Sequence, residues 1–269
     1  MTSPATLFDL SGKVAVVTGG GGALGSAISK GLAAAGAAVL VVDLKQDSAA
    51  AVADAIVAAG GRSIGVGANL RESDEVDRVF AVADTLGGVD VLVNAITAGI
   101  GRFEPEEYTL DGWEFMISTN LTSFFLCCKA AAARMIPAGR GGSIVNFGSI
   151  AGVSALGRGN FVYSVAKGGV AQLTKELAFS WAPHQIRVNS ILPCQFVNEW
   201  WAEQLASQES SPLVNRVVSG IPLGRLGDPS EMVGPVLFLA SPAASMVTGV
   251  LLPVDGGNLA MNAGASHDW

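Results

Sequence analysis

Short runs of apolar and β-branched residues alternate along the chain with longer Ala-rich stretches of helical character. The short apolar, β-branched runs at residues 14–17, 38–42, 63–66, 89–93, 143–147, 187–191 and 250–254 read as fully buried. Such continuous runs predict strands buried on both faces, the condition of a parallel sheet covered by helices on each side. The alternation predicts an α/β fold: a doubly wound parallel sheet of about seven strands in a single domain spanning 1–269. Its ligand site is expected beyond the carboxyl ends of the strands.

One stretch breaks the rhythm. Between the strand ending at Ile191 and a helix expected near Pro229 no strand pattern occurs, and Trp200 and Trp201 lie within the gap. Long connections of this kind serve as lids or binding loops, so a substrate loop is expected at about residues 194–228.

Composition narrows the function classes. Half of the residues are apolar and only 14% are charged, enough for a large core without metal or disulfide staples. The net charge of -7 and the absence of any basic run argue against a nucleic-acid surface. Three cysteines, Cys127, Cys128 and Cys194, form no CxxC pair or disulfide framework, which fits a reducing cytoplasm. The N-terminus lacks a basic segment followed by an apolar one, and residues 121–136 are interrupted by Lys129 and Arg134. Neither export nor membrane spanning is expected.

The first strand runs into Thr18-Gly19-Gly20-Gly21-Gly22-Ala23-Leu24-Gly25 and then into an Ala-rich helix. Glycines here let the backbone approach a pyrophosphate, which the helix N-terminus stabilises with free N–H groups and its dipole. The second strand ends at Asp43, placed to meet the adenosine ribose hydroxyls. A carboxylate at that point repels a 2′-phosphate, and neither Arg nor Lys stands in the glycine turn, so NAD is expected rather than NADP.

Together with Ser149, Tyr163-Ser164-Val165-Ala166-Lys167 and Asp255-Gly256-Gly257, the glycine turn resembles the short-chain dehydrogenase/reductase family over essentially the whole chain. The resemblance implies a Rossmann-type fold, hydride transfer at a CH–OH carbon, and a catalytic set of Asn120, Ser149, Tyr163 and Lys167. In that family Asn120 would hold a water linking Lys167 to solvent. The resemblance also implies cofactor contacts from Gly19, Gly21, Gly22, Leu24, Asp43, Asn69, Leu70, Asn94, Tyr163, Lys167, Pro193 and Phe196. Tyr and Lys four apart share one helix face. Bringing a tyrosine to act near neutrality needs a shift of roughly three pH units, about 4 kcal/mol. An ammonium about 4 Å away at an effective dielectric near 20 would supply that amount.

The pattern is departed from at four places. Ala23 stands for the second glycine of the turn, and Asn94-Ala95-Ile96-Thr97 for Asn-Asn-Ala-Gly, so neither Ile96 nor Thr97 is given a role. Cys194 replaces a glycine after Pro193, and Asn198 replaces a cofactor-contacting Thr. Candidate substrate contacts are Arg102, Arg158, Cys194, Trp200 and Trp201, the arginines suiting an anionic group. A small-molecule alcohol or carbonyl is therefore the expected partner, with a sugar or sugar acid favoured. A 3-oxoacyl-type reductase and a non-catalytic NAD-binding sensor or scaffold are the alternatives. No metal site is expected. By the resemblance a homotetramer would form through residues 110–136 and 162–181.

Overall fold

The computed structural model describes residues 4–261 apart from residues 100, 158 and 207–211. Its strands are β1 Val14–Thr18, β2 Ala38–Asp43, β3 Arg62–Gly67, β4 Val91–Asn94, β5 Gly142–Phe147, β6 Ile186–Pro193 and β7 Leu251–Val254. Its helices are α1 Pro4–Leu7, α2 Ala23–Ala34, α3 Gln46–Ala58, α4 Ser73–Leu86, α5 Leu110–Ile117, α6 Ser123–Ala138, α7 Phe161–Trp181, α8 Glu199–Ala206, α9 Pro212–Val218 and α10 Val233–Ala240. The strands form one parallel sheet in the order β3-β2-β1-β4-β5-β6-β7. The order reverses between β1 and β4, which opens a crevice at the carboxyl ends of those strands.

Successive strand residues point to opposite faces, and each face has its own layer of helices. Ala15, Val17, Val39, Val41, Val93 and Val145 pack under α2, α3 and α10. Val16, Leu40, Leu92, Ile144 and Val188 pack under α4 and α6 on the other side. This double burial is why the strands read as continuous apolar runs. The fourth strand begins two residues later than its pattern suggests: Asp90 turns its carboxylate back to accept the N–H of Val14 at 3.0 Å.

The helical run 110–138 is long and apolar enough to cross a membrane, yet half of its most apolar stretch is buried inside the protein. Phe124, Cys127, Cys128, Ala131 and Met135 are fully buried. The run is also not one regular helix. A π-turn at Ser118–Thr122 separates α5 from α6.

The connection after β6 contains no strand, as expected, but does contain α8 and α9. These close over a small core of their own, made by Trp201, Val214, Val217, Ile221 and Leu226. The base of this lid is pinned where the N–H of Val197 donates to Gly227 O at 2.8 Å and the N–H of Gly227 to Gln195 O at 3.0 Å.

Candidate active site

The glycine turn is shaped by close approach. Gly19 has φ +67°, and a Cβ there would stand 2.7 Å from the carbonyl oxygen of Ala95 at the end of β4. Ala23 begins α2 with an exposed methyl and is not among the residues of positive φ, so its departure from glycine strains nothing. Gly22, the N-cap of α2, offers no side-chain cap, and the first N–H groups of the helix stay open to an anion.

Asp43 Oδ2 accepts the N–H of Gly21 at 3.0 Å, and Oδ1 accepts that of Lys45 at 3.2 Å. The carboxylate is thereby fixed at the rim of a cleft of about 180 Å³, lined also by Gly19, Asn69, Leu70, Thr97 and Thr119. These features fit the pyrophosphate and adenosine of a nicotinamide dinucleotide. Arg71, which sequence reasoning passed over, lines the same cleft. Its Nε donates to Asn69 Oδ1 at 3.1 Å while its guanidinium lies 5.2 Å from the centre of the Phe115 ring. Its nearness to Asn69 in sequence was the available signal.

Asn94 does not face the cleft with its side chain. Fully buried, it accepts from Thr18 Oγ1 at 3.1 Å and donates to Asn146 Oδ1 at 3.0 Å and Cys128 Sγ at 3.4 Å, tying β1, β4, β5 and α6 together. Its carboxamide is used up in that network and serves the core.

The catalytic set converges above β4 and β5. Ser149 follows β5 in extended conformation, its Oγ accepting the N–H of Ala151 at 3.1 Å. The turn it opens presses on α7: a Cβ on Gly152 would meet the backbone of Lys167 at 2.6 Å. Tyr163 and Lys167 lie one turn apart on α7. Lys167 Nζ donates to Phe147 O at 2.8 Å and to Ile96 O at 3.4 Å, and lies 4.3 Å from the centre of the Phe124 ring and 5.8 Å from that of Tyr163.

Burial reverses the expected electrostatics. It holds the Lys167 ammonium down to about 7 and pushes the Tyr163 phenol above its ordinary value, while hydrogen bonding by Ser149 and Thr97 draws the phenol back. The expectation that one lysine suffices to acidify the tyrosine is not met in the free protein. Taking Lys167 out of water penalises the very charge that was to act.

Asn120 sits fully buried in the π-turn. Its Nδ2 donates to Met116 O at 3.0 Å, the acceptor an α-turn would offer to the backbone N–H, and to Ala98 O at 3.1 Å. Its Oδ1 accepts the N–H of Ala98 at 3.1 Å. The side chain thus grips the loop after β4. That loop carries Ile96, a residue given no role from sequence, to Lys167.

The remaining candidates divide. Pro193 ends β6, and Phe196, three residues on, packs its ring over Gly227, while Cys194 shares a cavity of about 100 Å³ with Phe196 and Gly227. Arg102 is exposed and lines a separate cavity of about 430 Å³ with Glu104, Glu107, Gly159 and Arg216. Arg216 comes from α9, too distant in sequence to be foreseen there. Arg158 lies outside the described residues. Trp201 is buried in the core of the lid and Trp200 stacks edge-on against it at 4.7 Å, which makes Trp201 an anchor and not a sugar platform. Asn198 accepts the N–H of Trp201 at 2.9 Å, starting α8. A cavity of about 530 Å³ lies at the amino ends of the strands around Lys13, Asp90 and Arg187, away from all of these residues. Among the described residues no cluster suits a metal ion.

Known proteins agree with this geometry. The profile of the family described as enoyl-(acyl carrier protein) reductase matches residues 21–258. The D-threitol dehydrogenase of Mycolicibacterium smegmatis is 36% identical over 252 residues, 93% of this chain and 94% of that protein. A short-chain type dehydrogenase/reductase from Mycobacterium marinum superposes with a TM-score of 0.85 at 35% identity, covering 95% of this chain and 99% of the other. The structure described as an NAD(P)-dependent gluconate 5-dehydrogenase from Beutenbergia cavernae, with NADP bound at low occupancy, gives a TM-score of 0.85 at 36% identity over 95% of this chain and 100% of that one. The chain belongs to the short-chain dehydrogenase/reductase family and is an oxidoreductase acting on CH–OH groups.

Proposed function

We propose that the protein is an NAD-dependent dehydrogenase that interconverts a secondary alcohol and a ketone on a hydroxyl-rich compound, a polyol, sugar or sugar acid. The observation that carries the chemistry is the meeting of Tyr163, Ser149 and Lys167 at the carboxyl end of the sheet, beside an uncapped helix N-terminus. In oxidation Tyr163 takes the proton of the substrate hydroxyl, and in reduction it returns a proton to the carbonyl oxygen. Ser149 donates to that oxygen and holds it before the phenol. Lys167 would hold the ribose of the cofactor and, when charged, lend positive charge to the phenolate. NAD, when bound, supplies the hydride acceptor or donor. Asn120 keeps the Ile96–Ala98 backbone in place beneath these groups.

The preference for NAD rests on Asp43, whose carboxylate is anchored at the rim of the cleft and would repel a 2′-phosphate. The relative with NADP bound marks the alternative. The substrate class rests on the relatives named for threitol and gluconate. Association into a tetramer is supported by apolar side chains left exposed on α6 and α7, Phe125, Val165 and the 84% exposed Phe179.

Initial rates with NAD and NADP against polyols, sugar acids and simple secondary alcohols test this reading. At least tenfold higher kcat/KM with NAD, and turnover confined to vicinal polyols and sugar acids, are expected, on the order of the discrimination one unpaired charge provides. Preference for NADP, or for simple alcohols, would overturn it.

A further inference from the structure

The cavity at the amino ends of the strands, about 530 Å³, is large enough for a small organic molecule. It opens where β4, β5 and β6 begin. The carbonyl of Asp90 accepts the N–H of Ser143 at 2.9 Å, and Ser143 is the register partner of Arg187 on β6. Lys13, Arg140 and Arg187 line the cavity, and Asp90 is the one carboxylate among its described lining residues. That carboxylate is already occupied. Oδ2 accepts the N–H of Val14 at 3.0 Å, and Oδ1 lies 3.4 Å from Lys13 Nζ and 3.4 Å from Arg140 Nη2. Positive charge is therefore in excess in this hollow, although the chain as a whole carries a net charge of -7.

Arg187 is the least compensated of the three cations. Its Nη1 donates to Val247 O at 3.4 Å and its Nη2 to Ser241 O at 3.2 Å, long bonds to neutral carbonyls. Among the described residues it forms no ion pair. A guanidinium carries five N–H donors, so this one has donors to spare. Burial draws its pKa below the ordinary value, as expected of a charge taken from water without a counter-charge. Thr248 adds a hydroxyl to the lining: its Oγ1 accepts the N–H of Val188 at 3.1 Å and keeps its own proton for a further acceptor.

We propose that this cavity binds a small polyvalent oxyanion, a phosphate or a polycarboxylate, held by Arg140 and Arg187 with Lys13 beside them. A guanidinium fork meets two oxygens of either group in parallel. The bound anion supplies the counter-charge that Arg187 lacks and so stabilises the fold. Ser149 follows β5 and Pro193 ends β6 at the opposite end of the sheet, so the anion and the dinucleotide occupy separate places.

Thermal unfolding of the full chain in millimolar citrate, inorganic phosphate or sodium chloride, at constant ionic strength, tests this. An anion that binds the folded chain raises the midpoint with its concentration. Citrate or phosphate is expected to raise it saturably where sodium chloride does not, and the stronger of the two tells which chemistry the site prefers. Arg140 has a side chain 51% exposed, so Arg140→Gln leaves the fold intact. It should weaken the apparent affinity about tenfold, the loss of one charge-assisted bond. Ser245→Glu sets a carboxylate at an exposed position of the lining without removing any of the three cations, and should abolish the response. An equal response in the parent and both variants would overturn the proposal, as would no response beyond that to sodium chloride. A response that vanishes when NAD is present would put the anion at the glycine turn and overturn it as well.

Discussion

Asn120 holds both backbone polar groups of Ala98, accepting its N–H and donating to its carbonyl, each at 3.1 Å. One buried carboxamide thereby couples the break in the α5–α6 helix to the loop that faces Lys167. The same side chain thus has a mechanical role in the fold.

Removing this grip should cost both fold and rate. Asn120→Ala leaves the Ala98 N–H and carbonyl without their partner, and urea unfolding is expected to show a loss of about 3 kcal/mol. In stopped-flow turnover kcat should fall at least tenfold, because the loop carrying Ile96 and Thr97 loses its fixed position. Unchanged kcat in a destabilised variant would separate the loop from catalysis.

Asp43 should decide the cofactor. In Asp43→Ser the 2′-phosphate is no longer repelled, and the N–H of Gly21 loses its carboxylate. KM for NAD is expected to rise about tenfold and KM for NADP to fall, read from initial rates with each at one substrate concentration. A variant that keeps the NAD preference of the parent would remove the carboxylate from the account.

Lys167 makes stability depend on pH. The unfolded chain keeps this proton up to the ordinary 10.5, whereas burial makes the folded chain release it near 7. Between those values the unfolded state binds the extra proton, so this group makes stability rise with pH. Below the window the buried ammonium is a penalty on the order of several kcal/mol. Lys167→Met should therefore be more stable than its parent at pH 7, with the difference shrinking toward pH 10 in paired urea titrations of the cofactor-free proteins. A constant difference across that range would mean that the amine is ionised in the fold throughout.

Much of this was legible in the chain, for reasons particular elements show. The strands stood out because Val16 and Val17 are buried under different helix layers, leaving no polar alternation to obscure them. The glycine turn and the Tyr163–Lys167 spacing were legible because they depend on local backbone and on neighbours one helical turn apart. The lid helices were not, since they bury their apolar residues against one another around Trp201 and show no face toward the sheet. The π-turn was equally silent: it follows from the bond of Asn120 to Ala98, a contact between segments 22 residues apart. Spacing also set Lys167 near Tyr163 without giving the cost of burying its charge.

The lid should move as a unit. Trp201→Ala empties the centre of its small core, at a cost of about 3–5 kcal/mol to that unit. Limited proteolysis is expected to cut first within residues 194–228, and KM for the substrate to rise while the unfolding midpoint of the sheet changes little. Cleavage no faster than in the parent would show that the lid is held by the body instead.

The most direct test of the account is turnover and cofactor binding in Tyr163→Phe. Removing one oxygen atom from the phenol should lower kcat by about a thousandfold, the scale of a positioned acid and base, while the dissociation constant for NAD stays within about threefold. A phenylalanine variant that oxidises the same alcohol at the rate of its parent would contradict the assignment of Tyr163, and with it the chemistry drawn from this site.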